Sequence, residues 1–258
     1  MSKIKLGAQL YTLREFIQTY EDTEKTFEYL KGIGINVIQI SGIGPIEPER
    51  VAELVERFGM DVCVTHIKFD RLKNDLERLI EEHKMINCPG IGIGSMPGDY
   101  PRTKEGFEAF IKEISPIAKK IKAAGLQFGY HNHSFEFERF EDGRTGFDIL
   151  VEETDPEDFH FILDTHWLQF GGMNPPDVIR NLKGRMEVCH FKDYKIVKNE
   201  RKFAEVGRGN LNLFECFKAC QDCGAGYIVI EQDSCDIDPR ESMAISYENL
   251  KAIASKLQ

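Results

Sequence analysis

Two pairs of residues separated by one position could do chemistry in this chain: His131 with His133, and Asp164 with His166. On an extended strand, i and i+2 side chains point to the same side, so one member can hold a metal while the other faces a substrate. His66, in Thr65-His66-Ile67-Lys68, His190 and Lys192, in His190-Phe191-Lys192-Asp193, and Glu231, in Ile230-Glu231-Gln232-Asp233, are of the same chemical kind, and Glu136 follows shortly after His133. A single such histidine is ordinarily a polar residue satisfied by a neighbour. Five of the seven histidines (66, 131, 133, 166 and 190) joined by Glu136, Asp164 and Glu231 are a different matter. Gathered in one apolar setting without partners, these groups would cost several kcal/mol. A divalent cation is the simplest partner, because it turns clustered carboxylates from repulsive to stabilising. Mixed oxygen and nitrogen donors with no cysteine among them suit Mn²⁺, Co²⁺, Fe²⁺ or Zn²⁺, and suit Mg²⁺ less well.

The elements that would gather them are legible as a repeat. Apolar runs occur at 4–10, 35–40, 61–65, 90–94, 126–130, 159–163, 186–191 and 227–230, and each is followed by an amphipathic stretch of helical period. Continuous apolar runs of this kind are the mark of parallel strands buried on both faces. Asp22 or Thr23 is the expected N-cap of a helix over 24–31 that Gly32 ends, Pro48 opens the next helix, and residues 71–86 read as one helix. Eight strands alternating with helices, with no linker between them, predict one (β/α)₈ barrel over residues 1–258. A doubly wound open sheet is the competing reading, but no Gly-x-Gly-x-x-Gly follows the first strand. In a barrel, chemistry sits at the C-terminal ends of the strands, and those ends carry the histidines and carboxylates above.

Charge narrows the function classes. The chain of 258 residues carries 33 Lys+Arg against 43 Asp+Glu, a net charge of −10, which argues against a phosphate-binding surface for nucleic acid or an anionic membrane. The first apolar run is too short for a signal peptide and no apolar stretch reaches the length of a membrane span, so a cytoplasmic protein is expected. Seven scattered cysteines are read as reduced thiols, and Cys216, Cys220 and Cys223, spaced i, i+4 and i+7, as a buried helix face. His83 and His160 read as structural. Trp167, the only tryptophan, and Phe16, Phe69 and Phe170 fall near strand ends where they could close a site.

Tyr130-His131-Asn132-His133-x-x-Glu136-Phe137, Leu163-Asp164-Thr165-His166-Trp167, His190-Phe191-Lys192-Asp193, Glu205-Val206-Gly207-x-Gly209 and Val229-Ile230-Glu231 together resemble the xylose isomerase-like TIM barrels, grouped with sugar phosphate isomerases/epimerases and endonuclease IV. The resemblance covers essentially the whole chain. It implies one divalent metal held by a strand-five carboxylate, a strand-six Asp, a strand-seven His and a strand-eight Glu: here Glu136, Asp164, His190 and Glu231. Many members carry Glu where His131 stands, so either His131 is the ligand or Glu136 folds back to bind, and Glu136 is preferred. The resemblance further implies a sugar or polyol substrate interconverted by proton abstraction next to a carbonyl, through a metal-stabilised enediolate. Glu136 and Glu231 on opposite faces would epimerise, whereas His133, His166 and Lys192 could isomerise or expel a β-hydroxyl. His66, His131 and Trp167 are expected near the substrate, and Arg208, on the loop after strand seven, near its oxygens or a phosphate.

Metal-dependent isomerase/epimerase is thus the first expectation, with a lyase or dehydratase of keto-sugars or inosose as the alternative. An endonuclease IV-like role needs a multinuclear zinc cluster and a basic face, which this ligand set and charge do not supply. A non-catalytic sugar-binding protein would not need an intact ligand set. The resemblance also allows a homo-oligomer, whose copy number no motif fixes.

Overall fold

The computed structural model describes residues 4–257; residues 1–3 and 258 of the expected domain lie outside it. The eight expected strands form at Lys5–Gln9 (β1), Val37–Ile40 (β2), Asp61–His66 (β3), Gly90–Ile93 (β4), Gln127–His131 (β5), Phe159–Asp164 (β6), Met186–Phe191 (β7) and Tyr227–Ile230 (β10). All pair in parallel, and β1 closes the ring by pairing with both β2 and β10. An antiparallel hairpin of Asp193–Val197 (β8) and Glu200–Ala204 (β9) is inserted after β7.

Helices wrap the barrel at Tyr20–Gly32 (α1), Pro48–Phe58 (α2), Phe69–Asn74 (α3), Leu76–Met85 (α4), Lys104–Ala123 (α5), Gly146–Glu153 (α6), Thr165–Phe170 (α7), Pro175–Asn181 (α8), Leu213–Cys223 (α9) and Pro239–Ser255 (α10). No helix among the described residues is long and apolar enough to cross a membrane. Left-handed glycines at Gly59 and Gly224 turn α2 and α9 back onto the sheet, a conformation that costs residues with a Cβ.

Three local expectations need correction. The α1 N-cap is Thr19, whose Oγ1 accepts from the Asp22 N–H, so the helix begins a turn earlier than the Asp22 and Thr23 signal suggested. Its left-handed residue is Gly34, while Gly32 is still helical. The expected helix over 71–86 breaks at Asp75, whose φ of −143° ends α3 before α4 begins, and whose carboxylate is held by Arg71 at 2.8 Å.

Most of the apolar core lies between the strands and the helices. A second, smaller cluster plugs the barrel interior with Val37, Val64, Ile162, Val188 and Val229, contributed by five strands, together with Cys63. Cys216, Cys220 and Cys223 are buried on one face of α9, as the spacing predicts. His83 is buried between Thr65 Oγ1 and the Leu79 carbonyl, and its reading as structural holds.

Candidate active site

Strand periodicity sets what stands above the plug. Two residues beyond Val37, Val64, Ile162, Val188 and Val229, on the same side of each strand, come Gln39, His66, Asp164, His190 and Glu231. A Cβ on Gly129 would meet the Ile162 side chain at 2.9 Å, so Gly129 also faces inward and His131 is the next inward residue on β5. The apolar layer is therefore capped by a polar one at the C-terminal mouth.

Within this layer, one ligand atom from each of His131, Asp164, His190 and Glu231 lies within 4.8 Å of the others. All four residues are buried. His131 Nδ1 lies 2.8 Å from the Gly94 carbonyl, which can only accept, so Nδ1 donates there and Nε2 is the ring atom turned to the group; Asp164 and Glu231 beside it outweigh burial and raise the His131 pKa. That Nε2 has no hydrogen-bond partner and stands 3.4 Å from Asp164 Oδ2 and 3.9 Å from Glu231 Oε2. His190 Nδ1 is 2.7 Å from the same Glu231 oxygen, while its Nε2 is 2.7 Å from Gln39 Oε1. Asp164 is fixed from outside the group: its N–H donates to Asn132 Oδ1, and its Oδ1 caps α7 through the N–H groups of His166 and Trp167.

Two imidazoles and two carboxylates, each oriented by a neighbour and with His131 Nε2 facing both acids, form a donor set that fits a divalent cation. Glu136 is not in the group. Its Oε1 accepts from the Tyr130 hydroxyl at 2.7 Å and its Oε2 from the His133 N–H at 2.9 Å. Glu136, the preferred strand-five ligand, is therefore not brought to the other three expected ligands; His131, the alternative and also an expected substrate contact, stands beside them instead.

Lys192 Nζ is buried against the group, 2.9 Å from Asp164 Oδ2, 3.2 Å from Glu231 Oε2 and 3.2 Å from Asp233 Oδ1. Burial opposes its charge, but these carboxylates outweigh burial and raise its pKa, so the ammonium persists. Burial would lift Asp164 and Glu231, yet Lys192 and then the histidines reverse this and hold both below the usual carboxylate range. Burial pushes His133 down to about 3 and His166 down to about 4, leaving both rings neutral at neutral pH. The same cause lifts Glu136 to about 7, against the pull of its Tyr130 and His133 donors.

A cavity of about 450 Å³ opens over the group, with His66, His131, His133, Lys192, Glu231 and Asp233 on its walls. It thus gathers three expected catalytic residues, His133, Lys192 and Glu231, and two expected substrate contacts, His66 and His131. His166 and Trp167 sit behind His133, with ring centroids 5.1 Å apart for His133 and Trp167 and 4.8 Å for Trp167 and His166. Both nitrogens of His166 and Nε1 of Trp167 lack hydrogen-bond partners. Tyr194 and Phe203 of the hairpin pack on His166, at 5.3 and 4.8 Å between centroids. Arg208 is exposed on the loop after the hairpin, away from the walls of this cavity.

Gln39, Asp233, Asn132 and the hairpin were not anticipated. Gln39 shares the parity of Val37, a signal that required the strand registers. Asp233 sits in Glu231-Gln232-Asp233, again an i, i+2 spacing.

Comparisons with known proteins agree with this architecture. The crystal structure of a sugar phosphate isomerase/epimerase from Parabacteroides distasonis superposes with a TM-score of 0.78 at 21% identity, covering 98% of this chain and 95% of that one. The structure of L-ribulose 3-epimerase superposes at 0.74 with 15% identity, covering 98% and 95%. Inosose dehydratase of Clostridium tetani is 24% identical over 161 residues, which is 56% of this chain and 52% of the relative, so the chain matches about half of that protein's length. The model of the xylose isomerase-like TIM barrel family matches residues 26–253, and the chain belongs to that family.

Proposed function

We propose that this chain is a divalent-cation-dependent enzyme that removes a proton from the carbon next to a carbonyl of a sugar or sugar-like polyol. The observation that carries the reading is the buried His131, Asp164, His190 and Glu231 group beneath a cavity whose wall carries His133 and Lys192. A bound cation supplies Lewis acidity toward the carbonyl and hydroxyl oxygens of a substrate.

The chain's own residues would do the rest. His131, Asp164, His190 and Glu231 hold the cation, and Gln39 and the Gly94 carbonyl fix the two rings. His133 on the cavity wall is placed to meet a proton on the substrate carbon. The Lys192 ammonium can stabilise negative charge growing on a substrate oxygen or return a proton to it.

Isomerisation or epimerisation of a sugar matches the names of the two structural neighbours described above. A second reading, loss of a β-hydroxyl as in a dehydratase, is favoured by one observation: Glu136 faces Tyr130 rather than the cavity, which removes one of the two carboxylates expected to epimerise. The test is turnover of a panel of ketoses, aldoses and inososes in D₂O with Mn²⁺, followed by NMR. Deuterium at the carbon next to the carbonyl, lost on chelation, is expected. An isomer or epimer as product supports the first reading, an unsaturated or dehydrated product the second. Turnover indifferent to chelation overturns the cation dependence.

A further inference from the structure

Lys192 is 1% exposed, and its ammonium touches three carboxylates of unequal standing. Two of them, Asp164 and Glu231, offer Nζ the same oxygens that face His131 Nε2. The third, Asp233, lies outside the four-residue group, is 27% exposed at the cavity wall, and approaches Nζ with both oxygens, at 3.2 and 3.3 Å. We infer that the Lys192 ammonium and a divalent cation compete for Asp164 Oδ2 and Glu231 Oε2, and that Asp233 is the second seat to which the ammonium retreats when the cation binds. The inference rests on the proposed cation reading and assigns Asp233 as a positioning residue.

Two positive charges held on one pair of buried oxygens repel strongly, since little water lies between them to screen the repulsion. The backbone at Lys192 is tethered to Thr165, whose Oγ1 accepts from the Lys192 N–H and shares its proton between the Lys192 and His190 carbonyls. Only the side chain is free to move. The Asp233 backbone is anchored as well, its carbonyl accepting from Arg14 Nη2 at 3.0 Å. An ammonium that leaves the group for Asp233 remains charge-paired and stays on the cavity wall. Cation loading would thereby convert Lys192 from an internal counter-ion into a group available to substrate.

Mn²⁺ affinity of the full chain, measured by competition with a chromophoric chelator, tests this without reference to activity. Four proteins are needed: wild type, Lys192→Met, Asp233→Asn and the double variant. Lys192→Met is expected to bind Mn²⁺ about tenfold or more tightly. Asp233→Asn is expected to weaken binding about fivefold when Lys192 is present and less than about twofold in the Lys192→Met background. An unchanged or weaker affinity in Lys192→Met, or an equal effect of Asp233→Asn in both backgrounds, overturns the exchange.

Should the two proteins carrying Lys192→Met not fold, crystal structures of wild type with and without Mn²⁺ decide. Nζ must move beyond about 4 Å from both Asp164 and Glu231 and keep its contact with Asp233, and an unmoved Nζ overturns the inference. Wild type that binds no Mn²⁺ overturns the cation reading itself, whereas tight binding without coupling overturns only the exchange.

Discussion

His131, and not Glu136, stands with the other three donors, and two variants test which of the two binds the cation. Replacing His131 by Ala removes a nitrogen donor and should lower Mn²⁺ affinity by about tenfold or more, while Glu136→Gln should leave it within about threefold. Isothermal titration measures both, and the reverse order would restore Glu136 as the ligand. Glu136 also makes a pH prediction. Its folded pKa of about 7 exceeds the ordinary carboxyl value of 4.5, so the native state binds more protons than the unfolded chain between those limits. Its contribution is therefore most favourable below pH 4.5, is lost as pH rises, and levels off above pH 7. Over that range, wild type should lose about 3 kcal/mol relative to Glu136→Gln. Urea unfolding of both proteins at pH 5 and 8 measures the difference; a gap that does not widen toward pH 8 rejects the assignment.

At the level of elements, the inserted hairpin and the loop after it depend on one carboxylate. Asp193 accepts from the N–H groups of Tyr194, Gly207, Gly209 and Leu211, which lie within 3.2 Å of its two oxygens. A Cβ on Gly209 would come within 2.2 Å of Asp193 Oδ1, so the loop closes on the carboxylate at a distance only glycine allows. Asp193→Ala leaves four donors without partners and should cost about 3 kcal/mol, with faster amide exchange at Gly207, Gly209 and Leu211. Hydrogen exchange that stays slow at these amides would mean that the loop is held by other contacts. The hairpin eluded the sequence reading because its turn, Lys198-Asn199, lacks the usual glycine and takes φ of 50° and 69° on two other residues. The break at Asp75 eluded it too, because the apolar period runs on across α3 and α4 although the backbone does not.

For the whole molecule, the cost is the concentration of buried charge at one end of the barrel. A cation bound only by the folded chain should stabilise it by about 2.7 kcal/mol at a hundredfold excess over Kd. Thermal unfolding with Mn²⁺ and then with chelator measures this; a melting temperature unmoved by either would mean the four residues hold no cation. The barrel was legible from the sequence because local rules decide it. Eight apolar runs alternate with amphipathic stretches, burying both faces of each run calls for a parallel sheet, and eight repeats with no Gly-x-Gly-x-x-Gly after the first favour its closed form. The composition of the mouth was legible for the same reason, since the polar residues follow directly on the ends of those runs. Which of them converge was not. His131 and Glu136 are both near the end of β5, and sequence distance does not say which faces the other donors and which turns to a hydroxyl and an N–H. That was decided by strand parity across the closed ring and by the placement of Tyr130, because a metal-ready group needs donors from several strands to meet within 4.8 Å. The sequence by itself determined the barrel and which polar residues stand at its mouth; only the tertiary structure brought His131 rather than Glu136 to the other three donors and set Lys192 against Asp164, Glu231 and Asp233.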